Sequence, residues 1–167
     1  MDLYLLRHGI AAAIGTAGIT RDGERPLTTE GIARMKRIAA AMQAMELDFD
    51  LILTSPLVRA RETADLVAAA FEAGNRLKTD PSLACGGDAR EAIRRLAARK
   101  PALSSALLVG HEPDLSGLIS WLVAGDSGFP VTMKKGGLCK LSASPPLCGR
   151  CATLEWLLTP KQMLLMG

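Results

Sequence analysis

Aromatic side chains are scarce in this 167-residue chain, only 4% of it, and histidine occurs just twice. So few rings provide no base-stacking platform, and a net charge of +3 is too mild for a stripe that tracks phosphates. Nucleic acid is therefore not expected as a partner. No apolar run reaches the roughly 18 residues of a membrane span. Asp2 stands where a signal peptide would carry positive charge, and no long apolar stretch follows it. The expectation is a protein of the cytoplasm, not of the membrane. Linkers, internal repeats and long polar tracts are also missing, so residues 1–167 read as a single domain. A chain of this length buries roughly two-thirds of its unfolded surface and can hold a rigid site without disulfides or metals.

Cysteine is sparse as well. The four residues, Cys85, Cys139, Cys148 and Cys151, all lie in the second half, and only "CGRC" at 148–151 has a suggestive spacing. A redox pair or half of a zinc site would use that spacing, but zinc needs two further ligands. The surrounding "KLSASPPLCGRCATLEWLL" reads as two strands joined by a turn rich in Pro and Gly, which makes the cysteines incidental to a hairpin.

Apolar segments alternate with amphipathic ones. "LYLLRHG" reads as a strand, followed by a polar, Gly-rich loop over 12–27. Next comes a helix with Ile32, Met35, Ile38, Ala39, Met42 and Met45 on one stripe. "FDLILTSP" is a second strand, with Ser55 and Pro56 as N-cap and first residue of the next helix. "DAREAIRRLAARK" is a third helix capped by Asp88, and "SALLVGHEPDLSGLISWLVAG" repeats strand, sharp turn and helix. "GGLCKLSAS" and "TLEWLLTP" are strand-like. Between Arg59 and Ala106 the chain reads as helix, short turn and helix, with little room for an inserted cap. This alternation predicts an α/β fold with helices on both faces of the sheet.

Three strand candidates run directly into charged or polar residues: Arg7 and His8, then Ser55 with Arg59 one turn later, then Gly110 and His111. In a largely parallel sheet their carboxyl ends share one edge, where such sheets build sites. Both histidines of the chain stand at such ends. Two arginines offer forked, permanent donors for phosphoryl oxygens. No "GxxxxGK[ST]" pattern and no carboxylate cluster suited to magnesium is present. A metal-free reaction needs a protein nucleophile, and a neutral imidazole can serve, with nearby cations stabilising the transferring phosphoryl group and depressing the imidazole pKa.

"LRHG" at 6–9, "RPLTTEG" at 25–31, "TSPLVRARETA" at 54–64, "VGHEPDLS" at 109–116 and "WLLTPKQM" at 156–163 follow one another in order. On these segments the chain resembles the histidine phosphatase superfamily, and within it the short SixA-type phosphohistidine phosphatases. The resemblance implies a phosphoglycerate mutase-like, three-layer α/β/α sandwich around a mostly parallel sheet. It implies His8 as the phosphorylated nucleophile, Arg7, Arg59 and His111 around the phosphate, and no metal or other cofactor. Arg25 joins them as a buttress or phosphate contact, and Lys134, beside Lys135 and a Gly-Gly turn, as a residue of the pocket mouth. A plain surface role remains open for both. Free phosphate or sulfate suits the same pocket.

Substrate class turns on a proton donor for the leaving group. Glu72, Asp80, Asp88 and Glu91 are explained as turn, cap or solvated helix residues, whereas Asp22 and Glu24 in the first loop stay open as acids. Without an acid, phosphohistidine is the favoured substrate, because its imidazole can leave neutral. The expectation is a phosphohistidine phosphatase acting on a phosphotransfer or phosphocarrier protein. A sugar- or nucleotide-phosphate esterase and a non-catalytic phosphate-recognition module are the alternatives.

Overall fold

Strand β1 (Asp2–Arg7) lies at the centre of a six-stranded sheet ordered β3-β2-β4-β1-β5-β6. Its other strands are β2 (Leu51–Thr54), β3 (Leu77–Thr79), β4 (Ser105–Gly110), β5 (Leu138–Ala143) and β6 (Ala152–Leu158). The computed structural model describes residues 1–126 and 128–166. The first four strands in spatial order run parallel, and β5 and β6 add an antiparallel hairpin beside β1. Leu5 of β1 pairs with Leu108 of β4, and Arg7 with Gly110, so the end of β1 before His8 and the end of β4 before His111 are in register.

Helices cover both faces, as a parallel sheet requires. Tyr4 and Leu6 of β1 pack with Met35, Ile38 and Met42 of α1 (Thr29–Ala44), Val67 of α2 (Val58–Ala70) and Met163 of α5 (Pro160–Met163). Leu3 and Leu5, pointing the other way by the period-2 rule, pack with Ile93 and Leu96 of α3 (Ala89–Ala97) and with Leu118 and Ile119 of α4 (Asp114–Ala124). The result is the expected three-layer α/β/α sandwich.

Local chemistry sets the helix ends. Thr28 caps α1 by accepting the Gly31 amide at 2.9 Å, and Asp88 caps α3 by accepting from Arg90 at 3.1 Å. Gly31 is required because a Cβ there would collide with the Ile10 carbonyl oxygen, where α1 crosses the segment leaving β1.

Three expectations change. The regular part of α2 begins at Val58, so Ser55 and Pro56 precede the helix instead of opening it, and the Ser55 hydroxyl is used elsewhere. Between α2 and α3 the chain inserts β3, read from sequence only as a turn; just Leu77 of its three residues is buried, which leaves no alternation to detect. In the α1 stripe, Met35, Ile38, Ala39 and Met42 are buried, whereas Ile32 is exposed and Met45 half-buried. Among the described residues no helix is long and apolar enough to cross a membrane.

Candidate active site

The carboxyl ends of β1, β2 and β4 bring His8, Arg59 and His111 together, and all three are buried, at 5%, 4% and 1% exposure. The two imidazole rings lie 5.0 Å apart, centre to centre. Arg7, the last residue of β1, is half-buried and donates through one terminal nitrogen to the Met133 carbonyl at 2.7 Å.

Hydrogen bonds fix the tautomer of His8 and engage both rings. His8 Nδ1–H donates to the Gly9 carbonyl at 2.7 Å, which leaves the Nε2 lone pair uncovered by a proton. That lone pair accepts the Arg59 Nε–H at 3.2 Å. The Gly9 amide in turn donates to Thr63 Oγ1 at 3.0 Å, and the Thr63 hydroxyl donates to the Arg59 carbonyl at 2.7 Å, tying the turn after His8 to α2. His111 Nε2 lies 2.7 Å from Ser55 Oγ, which also accepts the Leu57 amide at 3.2 Å. Where the Ser55 hydroxyl donates to Nε2, the neutral His111 ring carries its proton on Nδ1. His111 Nδ1 and Arg7 Nε are buried without a hydrogen-bond partner. Both atoms belong to residues at the ends of β1 and β4, and an N–H left without a partner there suits a polar acceptor such as a phosphoryl oxygen.

Burial drives the His8 pKa down to about 3, against the Gly9 carbonyl that favours the protonated ring; the positive fields of His111, Arg59 and Arg7 push in the same direction as burial. His111 falls to about 4, again mainly through burial, then through Arg59, with Asp22 opposing. Both rings are therefore neutral throughout the physiological range. This has a linked effect on stability. In the unfolded chain each histidine takes a proton near pH 6.5. The unfolded state then binds more protons than the folded state as pH falls from about 6.5 toward 4, so stability declines over that window. We expect a loss on the order of a few kcal/mol by denaturant titration, and imidazole NMR signals of both rings that do not titrate between pH 8 and 5. A ring titrating near pH 6.5 in the folded protein would contradict the assignment.

Asp22, left open as an acid by the sequence, is engaged by two arginines. Its carboxylate takes Arg25 at 2.8 Å and Arg59 at 2.9 Å, and its carbonyl takes Arg59 at 2.7 Å. The Arg25 hydrogen bond, reinforced by Arg59, holds it below the ordinary carboxylate range against partial burial. Arg25 also donates to the Ala12 carbonyl at 2.6 Å, so the structure places it as a brace of the first loop. Lys134 is exposed, in the turn whose Gly136 amide donates to the Arg7 and His8 carbonyls at 3.0 and 3.2 Å. Glu24 is exposed and pairs with Arg21 at 3.9 Å. Asp80 lies under α3, where bonds from Ser82 and Arg95 outweigh burial and keep it ionised. Cys85 Sγ, which sequence reasoning did not place here, meets Arg59 at 3.3 Å. Thr63 was also missed, although its position one turn after Arg59 in "RARET" is the available signal.

Comparisons with known proteins find relatives over most of the chain. Residues 3–84 match the model of the histidine phosphatase superfamily, branch 1. An uncharacterized protein of Picosynechococcus is 42% identical over 142 residues, 84% of each chain. Phosphohistidine phosphatase SixA of Escherichia coli is 26% identical over 76% of this chain and 77% of its own length. In fold, the solved structure of the protein histidine phosphatase SixA complexed with tungstate aligns at a TM-score of 0.84 with 23% identity, covering 96% of this chain and 98% of that one. The chain belongs to the histidine phosphatase superfamily and is a phosphatase.

Proposed function

We propose that this phosphatase removes the phosphoryl group from phosphohistidine on a protein, through a phospho-His8 intermediate. The observation that carries the reading is the state of Asp22. The carboxylate set against the pocket is bound by two arginines and held ionised, so it has no proton to give a leaving group. Its neighbour in the loop, Glu24, stands in solvent. An ester's alkoxide needs that proton, whereas an imidazole departs as a neutral ring when its second nitrogen carries a hydrogen.

The chemistry then divides into two displacements. The His8 Nε2 lone pair attacks phosphorus, a bond from Nε2 to phosphorus forms, and the bond to the substrate's ring nitrogen breaks with its electron pair left on that ring. Arg7, Arg59 and the Nδ1–H of His111 stabilise the equatorial oxygens. Water then attacks phosphorus, and the electron pair returns to Nε2 as phosphate leaves. The same reading takes a phosphotransfer or phosphocarrier domain as partner and the cytoplasm as the place of action. Its support is the relation to the Escherichia coli phosphohistidine phosphatase, together with this donor-poor pocket.

A substrate panel tests it. We expect kcat/KM for a phosphohistidine-bearing phosphocarrier protein to exceed that for sugar and nucleotide phosphates by at least about a hundredfold, the low end of what general acid catalysis supplies. Equal or faster ester hydrolysis that disappears in Glu24→Gln would overturn the reading in favour of a small-molecule phosphomonoesterase.

A further inference from the structure

The "CGRC" turn takes no part in the phosphate site, and its placement shows why. Residues 138–143 of β5 run antiparallel to β1, with Ser142 opposite Asp2, so the β5–β6 connection lies at the amino end of β1. His8 is at the other end, roughly 17 Å away along the strand. Gly149 and Arg150 form the turn between Cys148 and Cys151, with Arg150 in the left-handed region at φ 60°. A four-residue turn brings its end Cα atoms within about 7 Å, which overlaps the range spanned by disulfides. The Cys148 amide donates to Cys151 Sγ at 3.3 Å, which puts the second sulfur beside the first cysteine's backbone.

Access is graded in the way that stepwise exchange needs. Cys148 is exposed and Cys151 half-buried, and both are free thiols. Both line an open cavity of about 480 Å³ with Arg150, Ser142, Ser144 and Thr153. A volume of this size takes a small peptide-like molecule, and the wall offers a guanidinium for a carboxylate and hydroxyls for amides. Among the described residues no group of three or more His, Cys, Asp or Glu assembles to hold a metal, so these two sulfurs stand as a pair. The turn is not loose: the Arg150 and Cys151 amides donate to the Trp121 and Leu122 carbonyls at 3.0 and 2.9 Å, and Gly149 packs on the Trp121 ring.

We infer that Cys148 and Cys151 form a reversible dithiol–disulfide site, whose partner is a low-molecular-weight disulfide bearing carboxylates, of the glutathione class. The Cys148 thiolate attacks one sulfur of the small disulfide; that S–S bond breaks and one small thiolate leaves, taking up a proton. The Cys151 thiolate then attacks the Cys148 sulfur of the mixed disulfide, and the second small thiol leaves. The protein loses two electrons and two protons, and the small disulfide gains both.

The test treats the full chain with oxidised glutathione, quenches it in denaturant with an alkylating agent, and reads the products by mass spectrometry. Of four alkylatable thiols, two are lost, Cys148 and Cys151, and a reducing thiol restores them. Cys151→Ser stops at a stable glutathione adduct on Cys148, and Cys148→Ser yields no cross-link. Phosphatase turnover stays unchanged in both variants, which separates this site from the assignment of His8. Four thiols remaining after treatment, or an adduct confined to Cys85, would overturn the proposal.

Discussion

Replacing His8 with alanine is expected to lower turnover by at least about four orders of magnitude, while the protein still folds and still binds phosphate. The size follows from the role. Nε2 is the atom that would be joined to phosphorus, and the other imidazole offers no equivalent, since His111 Nε2 is engaged with Ser55 at 2.7 Å. Without the covalent step, water would have to displace the leaving group directly, with only the positive pocket to help. Rapid-quench experiments with radiolabelled substrate check this at the level of the bond. The wild-type chain is expected to trap an acid-labile, base-stable phosphoenzyme at His8, and His8→Ala none. Residual turnover within tenfold of wild type would remove His8 from the nucleophile's place.

The second large effect belongs to Arg59. We expect Arg59→Ala to lower kcat/KM by about 10²- to 10³-fold, the range for loss of one donor aimed at developing negative charge. We expect Arg59→Lys to recover little of it. A lysine delivers one compact charge, whereas Arg59 uses its whole fork: Nε on His8, one terminal nitrogen on the Asp22 carbonyl, the other on the Asp22 carboxylate and Cys85. Its loss also unties the Asp22–Glu24 turn from α2 and leaves Asp22 held by Arg25 alone. Steady-state kinetics with phosphate inhibition distinguish the two contributions, since loss of charge weakens phosphate binding and loss of loop order lowers kcat as well. Full activity in Arg59→Lys would show that charge alone matters.

Much of this was legible before any coordinates, for identifiable reasons. Histidine is so rare here that two of them at strand ends form a pattern, and a parallel sheet has one edge at which such ends can meet. The burial of Leu3 to Leu6 on both faces wrote β1 as an unbroken apolar run. Other features left no such trace. Leu77, Lys78 and Thr79 form a strand because they lie beside β2, a tertiary reason with no local pattern. Ser55 looked like a cap because Ser-Pro before an apolar helix usually is one; only the approach of His111 gives its hydroxyl another partner. Asp22 looked like a candidate acid because a carboxylate's partners come from distant parts of the chain, here α2, and sequence spacing does not reveal them.

The contact between Arg59 Nε and His8 Nε2 carries one further meaning. On the proposed function, the electron pair that would reach phosphorus is shared, in the resting protein, with a cationic N–H. A neutral electrophile arriving at the pocket offers that guanidinium nothing in exchange and meets a screened nitrogen. A phosphoryl group brings oxyanions that would compete for the same N–H, and an arginine drawn to them would bare the imidazole. The incoming charge would thus act as the key to its own attacker, and would confine reactivity to the class of molecule that can draw the arginine away.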